Sequence, residues 1–173
     1  MKNLLYILAS WILVFSSCEE PPKPKQQRVV TKKEMIDYNR KSVRMESDQI
    51  DSYIKRRDWN MTETGSGLRY MIYEKAAGDS TKPVENQHVE VRYTVSLING
   101  KEIYQSDPNE PAEFVVGHDD VESGLQEGIR FLGVGDKAML IIPSHLAHGY
   151  TGDFDKIPHN ATVIFDIELL KIK

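Results

Sequence analysis

Cysteine is nearly absent: Cys18 is the single one in 173 residues. That scarcity excludes a disulfide framework and any cysteine-knuckle metal site. Charge of one sign is lacking too, since 22 Lys+Arg against 26 Asp+Glu leave a net charge of −4. A protein that grips phosphates shows a basic excess, so nucleic acid is not an expected partner. The longest apolar run, Leu4 to Phe15, is interrupted by Ser10 and falls short of the roughly 20 residues a spanning helix needs. A mean hydropathy of −0.46 excludes a polytopic membrane protein. Catalytic signatures are missing as well: no GxSxG elbow, no Walker loop, no HExxH and no dinucleotide glycine fingerprint. His145 and His148 are spaced by three, with His118 or His159 as a distant third, but nothing regular fixes that spacing. Neither metal nor cofactor is expected. What remains, 40% hydrophobic and 28% charged, is the composition of one folded domain with a small extension.

The lone cysteine follows the apolar run directly. Met1-Lys2-Asn3, the run and Ser16-Ser17 have the layout of a cleaved export signal over residues 1–17. Ser16-Ser17-Cys18 is similar to a bacterial lipobox, with Phe15 where leucine is more usual. That resemblance implies acylation of Cys18 and a lipid anchor. The alternative is a plain signal cut nearby with Cys18 incidental. Residues 18–30 carry E-E-P-P-K-P-K-Q-Q-R, a semi-extended tether with little to bury. The expected location is the bacterial cell envelope, lipid-anchored at an outer membrane and facing the periplasm.

Residues 31–64 read as a helix and linker. Thr31 and Glu34 have capping-box spacing, and neither Gly nor Pro intervenes before Arg57. Ile36, Val43, Ile50 and Ile54 make a thin apolar stripe. It fits a solvated helix resting lightly on the domain, or a homodimer seam, because Ile36, Val43 and Ile50 recur at sevens. Removing Glu34 to Arg57 is expected to leave activity on short substrates largely intact, since none of the candidate site residues lies there.

From residue 65 to 173 the period changes to two. Leu68, Tyr70 and Ile72 alternate with polar residues, as do Val89, Val91, Tyr93, Val95 and Leu97. Asn99-Gly100 marks a hairpin. Ile103 opens the return strand, and Ala112, Phe114 and Val116 form another. Leu125, Ile129 and Leu132 share one face of a short helix stopped by Gly133 and Gly135. Two more strands follow, Lys137–Pro143 and Thr162–Ile172. Antiparallel strands with one short helix predict an α+β domain, a twisted sheet curling over that helix.

Tyr93, Phe114 and Phe165 come from different strands and Leu125 from the helix, all on inward positions. Core packing explains any one of them. The stretches VEVRYTVSLINGK, FVVG, VESGLQEGIRFLGVGDK, IIPSHLAHGY and IPHNATVIFDIELLKI, in order and nearly ungapped from Gln87 onward, resemble the FKBP-type peptidyl-prolyl cis–trans isomerases. With the lipobox, tether and preceding helix, the chain looks like the gliding-motility-associated FKBP-type lipoproteins. The resemblance implies an FKBP-like fold and an isomerase assisting the folding of exported proteins, with proline-containing polypeptides as substrates.

It also implies a proline cup of Tyr93, Phe114, Val121, Leu125, Ile157 and Phe165, with the Glu122 N–H donating to the substrate carbonyl. His148 stands where the family has a rim tyrosine, and Leu125 where it usually has a tryptophan floor. Tyr104 replaces a frequent aspartate, and Ala112 and Glu122 replace larger apolar residues. Ile103, Tyr104 and Tyr150 belong to the expected rim, with Tyr150 able to substitute for His148 as donor. A different class of function is a binding module or chaperone that keeps the fold with little catalysis and holds proline-bearing segments of envelope partners.

Overall fold

The computed structural model describes residues 30–78, 81–118 and 120–173, so the expected export signal, Cys18 and nearly all of the expected tether lie outside the described residues. Helix α1 runs Lys32–Arg56. Its start follows from chemistry legible in the sequence: the Glu34 N–H donates to Thr31 Oγ1 at 3.3 Å, and the Thr31 N–H donates to Glu34 Oε2 at 2.9 Å.

Strands β1 (Thr62–Glu63), β2 (Arg69–Glu74), β3 (His88–Leu97), β4 (Glu102–Gln105) and β5 (Ala112–Val115) precede helix α2 (Ser123–Gly128). A 3₁₀ turn at Ile129–Phe131 extends α2, and β6 (Lys137–Ile142) and β7 (Val163–Ile172) complete the chain. All pairings are antiparallel, in one seven-stranded sheet ordered β1-β2-β6-β7-β3-β4, with β5 beside the first half of β3. The α+β class therefore holds.

The sheet has two covered faces. On one, Leu68, Val89, Val91, Leu140, Phe165 and Ile167 pack with Leu125, Ile129 and Leu132 from the α2 region. The helix follows the sheet closely because it carries glycines there: a Cβ on Gly128 would lie 2.6 Å from Leu140 Cδ1. On the other face, Ile50 and Tyr53 of α1 pack with Ile141 and Ile164.

This second face corrects the reading of α1 as a helix resting lightly. Ile50 is fully buried, whereas Ile36 and Val43 remain 46% and 50% exposed. The heptad positions thus part company, and the C-terminal half of α1 belongs to the domain. Arg69 makes the same point from β2. Alternation sends it to the polar side, yet it is only 3% exposed, held by Ser47 Oγ at 2.7 Å, Asp51 at 3.1 Å and Glu63 at 3.1 Å.

The β3–β4 turn also differs in detail. Gly100 alone of the Asn99-Gly100 pair has a positive φ, +88°. The Gly100 N–H donates to the Leu97 carbonyl and the Leu97 N–H to the Lys101 carbonyl, which makes a three-residue loop rather than a two-residue one.

Candidate functional site

Between the concave sheet face and α2 lies a cavity of about 450 Å³. Its walls are the side chains the alternation aims inward: Tyr93 and Val95 from β3, Phe114 from β5, Phe165 from β7 and Leu125 from α2. The Tyr93 and Phe165 rings lie 5.7 Å apart and tilted, a favourable aromatic geometry. Val121, Glu122, Tyr104 and His148 reach the same cavity. The structure thus brings together Tyr93, Phe114, Val121, Glu122, Leu125, His148, Phe165 and Tyr104.

Three other expected residues do not line it. Ile157, 5% exposed, and Ile103, 7% exposed, are built into the surrounding core. Tyr150, 78% exposed, lines a separate groove against Tyr38, Asn39 and Ser42 of α1. Sequence reasoning missed Val91, Val95, Glu113 and Asp153 as wall residues. The first two were readable from the β3 alternation. Asp153 lies in a loop with no periodicity, 49 residues from its partner Tyr104.

The mouth is polar and internally paired. Glu122 caps the start of α2 with φ −53° and ψ 134°, and no described acceptor takes its N–H. Its carboxylate instead accepts from His148, with Nε2 to Oε1 at 3.1 Å. The imidazole expected at the rim is thereby turned toward Glu122. Opposite, the Tyr104 hydroxyl donates to Asp153 Oδ2 at 2.5 Å, and the N–H groups of Asp155 and Ile157 donate to Asp153 Oδ1 at 2.9 and 2.7 Å.

Burial alone would raise the Asp153 carboxyl. The Tyr104 hydroxyl, the two N–H donors and the nearby His148 outweigh it and bring the pKa down to about 2. The same bond, followed by burial and the two aspartate charges, pushes the Tyr104 phenol up to about 12. Tyr104 is thus a neutral donor across the ordinary pH range. Lys156 lies 4.5 Å from its ring centroid and donates to the Ile103 carbonyl at 3.1 Å.

Nothing here has the form of a nucleophile with its base. Among the described residues, no group of three or more His, Cys, Asp or Glu is arranged to hold a metal ion. His145 contacts the Ser66 carbonyl and His159 the Tyr150 carbonyl, so the two histidines are engaged separately. What the site can do is enclose an apolar ring of proline size, strip water from the adjoining amide and offer donors at the mouth.

An apolar cup between a curled antiparallel sheet and a short helix defines a class, and comparison with known proteins places the chain in it. The chain belongs to the FKBP-type peptidyl-prolyl cis-trans isomerase family, whose model matches residues 79–170. It is 39% identical over 113 residues to the FKBP-type isomerase FkpA of Buchnera aphidicola, covering 65% of this chain and 44% of that protein. It is 42% identical over 94 residues to the isomerase FKBP1A of Xenopus laevis, covering 54% of this chain and 87% of that one. FkpA of Escherichia coli K12 is 34% identical over 139 residues, 75% of this chain and 50% of that protein. The chain therefore spans about half the length of its FkpA relatives. A solved isomerase structure from Pseudomonas syringae superposes with a TM-score of 0.65 at 28% identity, covering 78% of this chain and 95% of that one.

Proposed function

We propose that the chain is a prolyl isomerase for exported or cell-envelope polypeptides, working by preferential binding of the twisted X–Pro amide. The observation that carries this reading is the 450 Å³ cavity walled by Tyr93, Phe114, Leu125 and Phe165. Amide resonance sets a rotation barrier of about 18–20 kcal/mol. The two end states of X–Pro differ by only about 0.5–1 kcal/mol. Catalysis therefore requires no bond to be made, only tighter binding of the rotated form.

A ten-thousandfold acceleration corresponds to about 5.5 kcal/mol of that preference. Dry walls supply part of it, because the amide loses charge separation as it twists and needs water less. The Glu122 N–H, free of described acceptors at the helix start, donates to the carbonyl preceding proline. The test is a refolding substrate limited by proline isomerisation. The wild-type chain accelerates its slow phase, and a chain that binds the substrate without acceleration defeats the reading.

A second reading, a binding module or chaperone with little catalysis, has one observation in its favour. The His148 Nε2 is 3.1 Å from Glu122 Oε1, so the rim group is engaged internally. The same refolding assay separates the two.

The assignments of anchor and location rest on the first thirty residues. The small-small-Cys ending of the apolar run supports a lipid anchor on Cys18, and with the Pro-Lys tether an outer-membrane site facing the periplasm. A role in gliding motility and a homodimer through α1 belong to the same reading. The exposed Met35, Ile36, Tyr38 and Val43 support the dimer. Cys18→Ala releases the protein from envelope fractions while leaving it folded. Unchanged sedimentation with membranes rejects the anchor.

A further inference from the structure

The segment from the end of β6 to the start of β7 carries His148 and Asp153, the two mouth residues contributed by this loop. Its two ends, Ser144 and Thr162, are 7% and 5% exposed. A single side chain from another element holds both. Glu46, in the middle of α1, accepts from the Ser144 N–H at 2.7 Å and the Thr162 hydroxyl at 2.7 Å, both on Oε1. It also accepts from the Ser144 hydroxyl at 2.9 Å on Oε2. Hydrogen bonds to a carboxylate are stronger and shorter than neutral ones, and these three donors are all neutral.

The linkage continues to the mouth. The Ser144 carbonyl accepts from the Ala147 and Gly149 N–H groups, at 3.1 and 2.8 Å, which bracket His148 in the chain. The Asn160 N–H donates to the Gly149 carbonyl at 2.9 Å, closing the loop from its far side. His148 then meets Glu122 at 3.1 Å.

We infer that Glu46 is a positioning residue: it clamps both ends of the rim loop and so sets where His148 stands at the cavity mouth. The inference rests on the isomerase reading for its kinetic consequence, but not for its structural one. Docking of α1 is secured separately by Ile50 against Ile141 and Ile164, and by Arg69 with Ser47 and Asp51. Loss of the Glu46 carboxylate thus frees the loop without releasing the helix.

The experiment uses the full chain with Glu46→Ala, Glu46→Gln and Thr162→Val. Kinetics on a proline tetrapeptide are read beside the His148 ring resonances, assigned by their loss in His148→Gln. Glu46→Ala raises KM about fivefold with kcat changed less than twofold, the pattern of lost ground-state and transition-state binding together. It also shifts the His148 ring signals. Glu46→Gln keeps an acceptor oxygen for Ser144 N–H and Thr162, and its amide can donate to the Ser144 hydroxyl. It stays within about threefold of wild type, a rescue that a purely charge-dependent role would not allow. A folded Glu46→Ala with unmoved His148 signals and unchanged KM overturns the inference. If Glu46→Ala fails to fold, Thr162→Val, which deletes one hydroxyl, decides by the same signals. A wild-type chain inactive on the peptide defeats the isomerase reading, and the His148 signals still decide the clamp.

Discussion

At the scale of single residues, the site separates into packing groups and paired polar groups, and substitutions should separate the same way. Phe165 is 2% exposed and forms both cavity wall and core. Phe165→Ala should cost about 3–5 kcal/mol in chemical denaturation, with activity falling even where the variant is folded. Tyr104 tests the polar side. Asp153 has a pKa of about 2 against an ordinary 3.8, so its contribution to stability is present above about 3.8 and is lost as pH falls through 2. Tyr104→Phe removes the hydroxyl that does most to lower that value. The variant should lose less stability than wild type between pH 4 and pH 2, measured as the drop in thermal midpoint. Equal drops would show that the two backbone N–H donors hold Asp153 unaided. The apolar wall was legible in the sequence because alternation assigns a face to every residue of β3 and β7. The Tyr104–Asp153 and His148–Glu122 pairs were not, since each joins a loop residue to a distant element and no period links them.

At the scale of elements, α2 shows how two glycines set a separation. A Cβ on Gly124 would clash with Ile142 Cγ2, and one on Gly128 would lie 2.6 Å from Leu140 Cδ1. Alanine gains about 1 kcal/mol of helix propensity over glycine, while overpacking typically costs about 1–3 kcal/mol. Gly124→Ala should therefore destabilise on balance. Because α2 and its N-cap supply Leu125 and Glu122 to the cavity, it should also lower kcat/KM. Gly65→Ala meets nothing within 4 Å and serves as the control. A Gly124→Ala variant more stable than wild type would mean that the helix can lift off the sheet. The existence of α2 was readable from Leu125, Ile129 and Leu132 with Gly133 beyond, but that face runs past its end, because α2 stops at Gly128 and a 3₁₀ turn carries Ile129–Phe131. The burial of half of α1 was not readable. Ile50 and Tyr53 are three apart and give too narrow a stripe to distinguish docking on a sheet from a helix seam, and the buried partner Arg69 looks like an ordinary polar position. Only the pairing of β2, β6 and β7 creates the apolar patch of Ile141 and Ile164 that the helix covers.

At the scale of the whole molecule, one sheet carries a helix on each face, and the two helices have different duties. Helix α2 shapes the cavity directly, whereas α1 seals the opposite face and reaches the cavity through the β6–β7 loop. The expectation that removing Glu34 to Arg57 leaves activity on short substrates largely intact follows from reading α1 as external, and the packing argues otherwise. Its removal uncovers Ile141 and Ile164, now fully buried and 2% exposed, at about 1.5–3 kcal/mol for each large apolar side chain returned to water. Arg69 loses Ser47 and Asp51 but gains water, so its share of the loss is the smaller one. A chain truncated to residues 58–173 should therefore lose at least about 3 kcal/mol of unfolding free energy and unfold at a lower denaturant midpoint. It should also weaken binding of short proline peptides, because Glu46 leaves with the helix. Ile50→Ala in the full chain isolates the packing share, about 2–5 kcal/mol, while keeping Glu46 in place. A truncated chain with the wild-type midpoint and wild-type KM would return α1 to the status of an external arm and leave its apolar stripe to a partner.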